Sequence, residues 1–336
     1  MSQEEKGAEA PVQALVTDAE EPAYEPVFDV RFYQKRKHGK LREVPAPHVE
    51  APVADSHAHL DNLARPAWNL ARCAVWGVDF ICSMTDVFED ADTTYRMLEQ
   101  WPREAARVLE ETGLGDTVAR IPHLRTAIGC HPHNAKGYDD ALEERLLERL
   151  RDERTCALGE VGLDYHYDLS PRNVQRDVFR RQIRLAHEAG LPLILHMREA
   201  HDEGFAILEE EGFPEAGTLL HCCNLDADTL APWLEAGCWV AYGGPLTFKK
   251  ADDVRAAAHL VPRDRLLTET DSPYMTPEPM RGMTCGPEHT IFTAARMADE
   301  LAGDDAEARR ALLAQVHANA LSLLDRPATA WQRGQA

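Results

Sequence analysis

Residues 156–196 read CALGEVGLDYHYDLSPRNVQRDVFRRQIRLAHEAGLPLILH, and two apolar runs enclose a helical pattern within them. The pattern predicts a helix that begins at Pro171, with Ser170 as its cap, and that ends at Gly190. Apolar side chains recur along this helix at the spacing of a single face. A strand, a helix and a second strand in this order are typical of a βαβ unit, in which the two strands run parallel.

The same alternation of strand-like runs and helical patterns continues along the chain, and eight such runs are present. Eight strands alternating with helices over about 280 residues are typical of one α/β fold, the (β/α)8 TIM barrel. A doubly wound open sheet is the alternative, but the sequence lacks the glycine-rich phosphate loop that usually follows the first strand of such a sheet. The predicted strands are 53–56, 80–84, 126–130, 156–161, 193–196, 219–221, 239–242 and 266–270.

The chain is strongly acidic, with 36 Lys and Arg against 57 Asp and Glu in 336 residues, for a net charge of −21. This charge disfavours a protein that coats a nucleic acid duplex, which would carry a basic stripe, but it leaves recognition of a strand end open. A polyanionic substrate would have to be held locally, by metal ions and a few cationic side chains.

Cysteine usage and hydropathy indicate the compartment. The eight cysteines form no C-x-x-C pair, so we interpret them as reduced, mostly buried side chains. The sequence has neither a secretory signal pattern nor a run of 18 apolar residues. We therefore expect a soluble, cytoplasmic protein that engages no membrane, and no obligate protein partner is evident.

The N-terminal segment of the chain differs in composition from the rest. Glu, Ala, Gln and Pro dominate the first 25 or so residues, which predicts disorder, whereas residues 31–42 hold six Lys or Arg and no acid. That basic segment is either a phosphate-contacting arm or a solvated stretch lying on the acidic body. We predict an N-terminal extension (1–51), disordered or draped on the surface, a barrel domain (52–326) and a short C-terminal tail (327–336).

Metal-ligand residues stand at or beside the ends of five predicted strands. Active sites in TIM barrels lie at the C-terminal ends of the strands, so these side chains are expected to meet in space. Four imidazoles and two carboxylates suit two divalent cations that share one cavity. The predicted ligands are His57, His59, Glu160, His196, His221 and Asp271.

Two of these ligands are also assigned catalytic roles. Glu160 has two carboxylate oxygens and can bridge two cations, whereas Asp271 is expected to accept a proton from metal-bound water as the general base. Asp55 and Glu269 each precede a ligand by two residues and share its side of an extended chain, so they are expected to support the ligands from behind. Asp164 is placed in the loop after the fourth strand, where it would support a ligand, contact the substrate or simply provide ordinary loop polarity.

Five further side chains are predicted to contact the substrate. Two histidines follow the third strand, and three cations follow the fifth, seventh and eighth strands, where they could bind an anionic group. An ordinary structural salt bridge is the alternative for the first of these cations. These residues are His131, His133, Arg198, Lys249 and Arg281.

Taken in order, these motifs resemble the TatD family of metal-dependent hydrolases, a branch of the amidohydrolase-like barrels. The resemblance covers residues 52–325. The motifs are ADSHAHLD, GCHPHNA, GEVGLDYH, HMREA, LTFK, ETDSPYMTP and HANA, beginning at residues 54, 129, 159, 196, 246, 269 and 317.

The resemblance implies a two-metal nuclease, typically a 3′→5′ exonuclease of single-stranded DNA or RNA that uses Mg²⁺, Mn²⁺ or Zn²⁺. The family's ligand pattern falls on His57, His59, Glu160 and Asp271 for one ion, and on Glu160, His196 and His221 for the other. Hydrolysis of phosphodiesters in single-stranded DNA, or RNA, is therefore the leading hypothesis. The alternatives are a metal-dependent amide or ester hydrolase, such as a D-aminoacyl-tRNA deacylase, and a binding protein with an inactive site.

Overall fold

The computed structural model describes residues 27–118 and 120–335, so the segment predicted to be disordered, up to residue 25, lies outside these ranges. Eight parallel strands pair in chain order and confirm the predicted α/β barrel. A two-stranded antiparallel hairpin, β1 (Phe32–Lys35) and β2 (Leu41–Val44), precedes them. The barrel strands are β3 (Val53–Ala58), β4 (Val78–Asp86), β5 (His123–Gly129), β6 (Thr155–Asp164), β7 (Leu193–Arg198), β8 (Thr218–Leu220), β9 (Trp239–Tyr242) and β10 (Leu266–Thr268).

The first and last strands nearly close the barrel. The Thr268 hydroxyl donates to the Ala54 carbonyl at 2.8 Å. Above this bond, the Asp271 N–H donates to the His57 carbonyl at 2.9 Å, and the His59 N–H donates to the Ser272 carbonyl at 2.8 Å. Closure therefore brings the segment of His57 and His59 next to the segment of Asp271. These segments carry predicted metal ligands and lie at opposite ends of the barrel in the sequence.

Helices cover the outside of the barrel, and one closes its base. Ala320, Leu323 and Leu324 of the last helix are buried against the apolar side chains that fill the barrel interior. The helices are α1 (Pro66–Trp76), α2 (Ala91–Met97), α3 (Gln100–Glu111), α4 (Asp140–Leu150), α5 (Arg172–Ala189), α6 (His201–Glu211), α7 (Ala227–Glu235), α8 (Asp252–Ala258), α9 (Thr290–Ala302) and α10 (Ala306–Leu324).

The predicted helix after the fourth strand is α5, although its N-terminus is not capped as predicted. It begins at Arg172 and ends before Gly190, which adopts a left-handed conformation with φ of 63°. The prediction that Ser170 caps this helix was wrong. Its hydroxyl instead donates to the His133 carbonyl at 2.8 Å and accepts the Lys136 N–H at 3.0 Å. Ser170 therefore ties the loop after β5 to the loop after β6.

Both chain ends pack against the barrel where the structure describes them. Phe32 is only 1% exposed, and its ring contacts Trp76 of α1 and Phe292 of α9 at centroid distances of 5.5 and 4.9 Å. In the C-terminal tail, Trp331 is buried, and Gln332 donates through its side-chain amide to three backbone carbonyls. Within the described ranges, no helix is both long and apolar enough to cross a bilayer.

All eight cysteines are free, and seven are buried, as expected for apolar rather than redox-active or metal-binding use.

Truncating Phe32 should destabilise the protein. We expect Phe32→Ala to lower the free energy of unfolding by about 3 kcal/mol, because it leaves a cavity between α1 and α9. Leu41→Ala is the matched control: Leu41 lies on the same hairpin but is 59% exposed, so its loss should change stability by less than about 0.5 kcal/mol. Urea unfolding measures the free energy of unfolding of both variants. Equal unfolding midpoints for the two variants would contradict the packing of Phe32 between α1 and α9.

Candidate metal centre

The six side chains predicted as metal ligands meet at the C-terminal ends of the barrel strands. The four histidines among them lie around the carboxylate of Glu160, which is 8% exposed. Oε1 of this carboxylate lies 2.7 Å from His196 Nδ1 and 2.8 Å from His221 Nε2. Oε2 lies 3.4 Å from His57 Nε2 and 3.6 Å from His59 Nε2. The two oxygens of Glu160 therefore divide the four histidines into two pairs, which is the arrangement that a bridging ligand needs.

Asp271 faces only one of the two histidine pairs. Its Oδ1 lies 3.5 Å from His59 Nε2 and 3.8 Å from His57 Nε2. The residue has a φ of 58°, a left-handed conformation that costs free energy for any residue other than glycine and often marks functional sites. Its side chain is 14% exposed. Asp271 is thus held beside the first pair, where solvent can reach it.

Glu160 does not lie at a strand end, as the sequence had suggested, but in the middle of β6. Leu158 pairs with Leu193 whereas Val161 pairs with Leu195, so β6 contains one extra residue between them. Such a bulge re-aims side chains and is common next to active sites. The bulge allows a residue far from the strand end to face the histidines.

Asp164 corrects a second prediction, because it is the last residue of β6 and not part of the following loop. Its side chain is fully buried, and Oδ2 accepts hydrogen bonds from His133 Nε2 at 2.8 Å and from His196 Nε2 at 3.2 Å. With its Nε2 proton directed to Asp164, the His196 ring would present the lone pair of Nδ1 to a bound cation. Burial would raise the pKa of Asp164, but these hydrogen bonds lower it below its usual value.

Two more acids stand behind the ligands. Glu269 is fully buried, and its Oε1 lies 3.7 Å from His221 Nδ1. Asp55 is also fully buried and accepts the backbone N–H groups of His57 and Thr270 at 3.2 and 2.9 Å. These acids hold the ligand-bearing segments in place, so the histidine rings have little freedom to reorient.

The pKa shifts of Glu160 and His59 indicate that the buried carboxylates of the centre favour positive charge beside them. Burial would raise the pKa of Glu160, but neighbouring His221 and His57 and a hydrogen bond from His196 hold it well below its usual value. Burial would lower the pKa of His59, yet its hydrogen bond to Asp271 and the charge of Glu160 raise it to about 9. Protons on the imidazoles therefore balance the carboxylates in the absence of cations.

His57 and His221 provide the clearest test of whether these residues fit metal ions. Both nitrogens of the His57 ring and Nδ1 of His221 are buried with no hydrogen-bond partner among the described residues. Burial and the neighbouring His221 lower the pKa of His57 to about 4, so its ring is neutral. Neutral imidazoles and carboxylates are the ligands that Zn²⁺ and Mn²⁺ accept. The donor set fits two divalent cations.

His131 also lies close to Glu160, but its hydrogen bonding argues against a ligand role. Its Nδ1 accepts the His133 backbone N–H at 3.2 Å. Burial and the nearby His196 lower the pKa of His131 well below its usual value, so the ring is neutral and carries its proton on Nε2. That nitrogen lies 3.8 Å from Glu160 Oε1. His131 is therefore a hydrogen-bond donor facing the centre.

The three predicted substrate-binding cations lie at or after the C-terminal ends of β7, β9 and β10 and do not contact the Glu160 carboxylate in the described ranges. Arg198 lies over the ring of Tyr167, with its guanidinium carbon 4.5 Å from the ring centroid, and Arg281 lies over Phe248 at 4.0 Å. Lys249 is exposed in the loop after β9. Within the described ranges, none of the three forms a salt bridge, so the structural alternative for Arg198 finds no support.

Sequence analysis could have located Asp164 more accurately. It follows Glu160 by four residues, and residues i and i+4 of a strand face the same side. The predicted strand ended at Val161, one residue before Gly162, and glycine usually weakens strands. Here Gly162 has a φ of 143°, and a Cβ on it would lie 2.1 Å from the His196 carbonyl oxygen, so the close pairing of β6 and β7 requires glycine.

Comparison with known proteins agrees with this geometry. The family described as TatD related DNase matches residues 54–324, which include all six predicted ligands. The chain belongs to the TatD family. The metal-dependent hydrolase YcfH of Escherichia coli K12 is 33% identical over 252 residues, which span 73% of this chain and 87% of YcfH. YabD of Bacillus subtilis, also named a metal-dependent hydrolase, is 40% identical over 187 residues, 55% of this chain and 72% of YabD.

Other TatD proteins extend the comparison. A human protein named 3′-5′ RNA nuclease TATDN2 is 33% identical over 183 residues, which are 52% of this chain and 24% of TATDN2. The crystal structure of the TatD homologue YjjV from Escherichia coli superposes with a TM-score of 0.67 and covers 83% of this chain and 100% of YjjV. At 23% identity, that likeness supports the fold alone. The protein is a metal-dependent hydrolase of the TatD family.

Replacing Asp164 should weaken one metal site selectively. We expect Asp164→Asn to lower Mn²⁺ affinity about 10- to 100-fold at the site of His196 and His221, because His196 loses the acceptor that orients its ring. The site of His57, His59 and Asp271 should keep its affinity. Calorimetric titration of metal-free protein with Mn²⁺ measures both.

Asp168→Asn is the matched control, since Asp168 is exposed in the loop after β6 and pairs with Arg172. It should leave both affinities unchanged. Equal weakening of the two sites by Asp164→Asn would contradict the assignment of His196 and His221 to a site of their own.

Proposed function

We propose that this protein hydrolyses phosphodiester bonds at the 3′ ends of single-stranded DNA or RNA, and that it uses two divalent cations, Mg²⁺, Mn²⁺ or Zn²⁺. The division of four histidines between the two oxygens of Glu160 carries the proposal. His57, His59, Glu160 and Asp271 would hold one ion, and Glu160, His196 and His221 the other. Paired cations of this kind suit an in-line displacement at phosphorus.

The charges around the centre favour an anionic substrate. Arg198 is the last residue of β7, and Lys249 and Arg281 follow β9 and β10. None of the three has a carboxylate partner among the described residues. In a chain with a net charge of −21, unpaired cations beside a metal site are unusual enough to indicate a function. They fit the phosphates of a strand end, which a neutral amide or lactone lacks.

The residues of this chain account for the steps of the reaction. When bound, the cations neutralise phosphoryl oxygens and lower the pKa of a water ligand to about 7. Asp271, partly exposed beside His59, would accept the proton of the attacking water as the general base. Glu160 would keep the two histidine pairs at a fixed separation.

His131 would contribute a neutral hydrogen-bond donor. Its Nε2–H faces the centre because the His133 backbone N–H occupies Nδ1. A preorganised donor aimed at an oxygen that gains negative charge stabilises the transition state. His133 would assist indirectly, since its own ring is bound to Asp164.

The test uses 3′-labelled single strands, D-aminoacyl-tRNA and a simple lactone, each with Mn²⁺. We expect release of single nucleotides from the strands, abolished by EDTA and reduced at least about 100-fold in kcat by Asp271→Asn, because the general base is lost. Asp304→Asn, an exposed acid between α9 and α10, is the control and should retain full activity.

Cleavage of D-aminoacyl esters without any nucleotide release would instead establish the deacylase alternative. An Asp271→Asn variant with unchanged kcat on single strands would remove Asp271 from the mechanism.

A further inference from the structure

The exposed aromatic side chains of this protein are concentrated around the metal centre. Three phenylalanine or tyrosine side chains are exposed in the described ranges: Phe88, Tyr167 and Tyr274, at 52%, 37% and 56%. They lie in the loops after β4, β6 and β10, all at the end of the barrel where the ligands meet. Clustered exposed apolar surface usually marks a binding site.

The two tyrosines lie at opposite ends of the histidine cluster. The ring of Tyr274 is 6.0 Å from that of His59 at an interplanar angle of 75°, and the ring of Tyr167 is 5.5 Å from that of His133 at 90°. His59 belongs to the pair at Glu160 Oε2, whereas His133 shares Asp164 with a histidine of the other pair. A group held at Glu160 would thus have one tyrosine on each side.

Both tyrosines are tied to acids of the centre through their backbones. The Tyr274 N–H donates to the Asp271 carbonyl at 2.8 Å. The Tyr167 N–H donates to Asp164 Oδ1 at 2.8 Å. The position of each ring is therefore coupled to a residue that holds or orients a predicted ligand. Phe88 differs, because its ring packs closely against Gly137 of the neighbouring loop.

Cations accompany the aromatic rings. The guanidinium of Arg198 lies over Tyr167, Arg281 lies in the same loop as Tyr274, and Lys249 lies in the loop after β9. Aromatic faces interleaved with cations are typical of surfaces that bind single-stranded nucleic acids, where bases stack and phosphates pair. A base must leave its duplex before it can stack on a side chain, so such a surface selects unpaired ends.

We propose that Tyr167 and Tyr274 stack against the two bases that flank the scissile phosphate, and so restrict the enzyme to unpaired strand ends. This proposal rests on the phosphodiesterase function and adds a base-dependent contact to it. The phosphate lies at the cations between the tyrosines, and the sugars on its two sides direct one base toward each ring. The stacking faces accept any base, so no sequence preference is expected.

The test compares three single-stranded oligonucleotides: an intact strand, and strands with an abasic tetrahydrofuran residue at the terminal or at the penultimate position. In wild type, kcat/KM with Mn²⁺ should fall about ten-fold or more for each missing base. Tyr274→Ala should abolish the dependence on one of the two bases, and Tyr167→Ala the dependence on the other. The Tyr→Phe variants should keep both dependences, since stacking needs the ring and not the hydroxyl.

Leu169→Ala is the matched control, because Leu169 is 49% exposed in the same loop as Tyr167 but has no aromatic face. It should preserve both base dependences. Equal loss of base dependence in Leu169→Ala would show that loop perturbation, and not stacking, is responsible. Wild-type enzyme that cleaves intact and abasic strands equally would overturn the stacking proposal and leave the phosphodiesterase function standing.

A binding measurement tests the proposal even if no strand is cleaved. Fluorescence anisotropy of the Asp271→Asn variant with Mn²⁺ should show at least about five-fold weaker binding of either abasic strand than of the intact strand. Equal affinities would overturn the proposal. Base-dependent binding without cleavage by wild type would instead overturn the proposed hydrolytic function and support the stacking surface.

Discussion

A carboxylate buried among four imidazoles is the constraint on which the rest of this structure depends. Burying an ionised Glu160 is costly unless positive charge lies beside both of its oxygens. The protein places two ring nitrogens at each oxygen, so protons or cations can balance the charge from both sides. The bulge in β6, the fully buried Asp164 and the glycine at position 162 all serve to present that one side chain to its neighbours.

The same constraint links the fold to the chemistry. A closed barrel can hold ligands from five strands within one small space, because its parallel strands all end at one rim. An acid behind the histidines can then determine which nitrogen of a ring faces the centre, as Asp164 does for His196. Changes in these supporting acids should therefore alter metal binding without touching a ligand.

The C-terminal end of the barrel carries unpaired cations, whereas the chain as a whole is strongly acidic. A net charge of −21 repels polyanions at long range, so affinity for a nucleic acid end has to come from contacts close to the centre. Under the proposed function, unpaired cations and exposed aromatic rings would supply two such contacts, one for phosphates and one for bases. High salt would screen the first and leave base stacking largely unaffected, so the balance between them would set how activity responds to ionic strength.

Much of the architecture could be predicted because parallel barrel strands are buried on both faces and leave a clear apolar signal. All eight predicted strands are present, and the predicted ligands were noticeable because each stands within or next to such a run. The prediction failed where a residue's role depends on partners distant in the sequence. Ser170 looked like a helix cap, but the loop after β5 supplies partners for its hydroxyl. The fourth predicted strand ended at Val161, but β6 continues to Asp164 through Gly162, where the close approach of β7 leaves no room for a side chain.

By itself, the sequence determined the fold class, the positions of the strands and the chemical types of the ligands, since these depend on local periodicity and on residue identity. Only the tertiary structure decided that the histidines divide into pairs at the two oxygens of one carboxylate. It also directed Nε2 of His131 toward the centre, and placed Tyr274 beside His59 and Tyr167 beside His133. These features depend on distances of a few ångströms between strands and loops far apart in the chain, which barrel closure brings together.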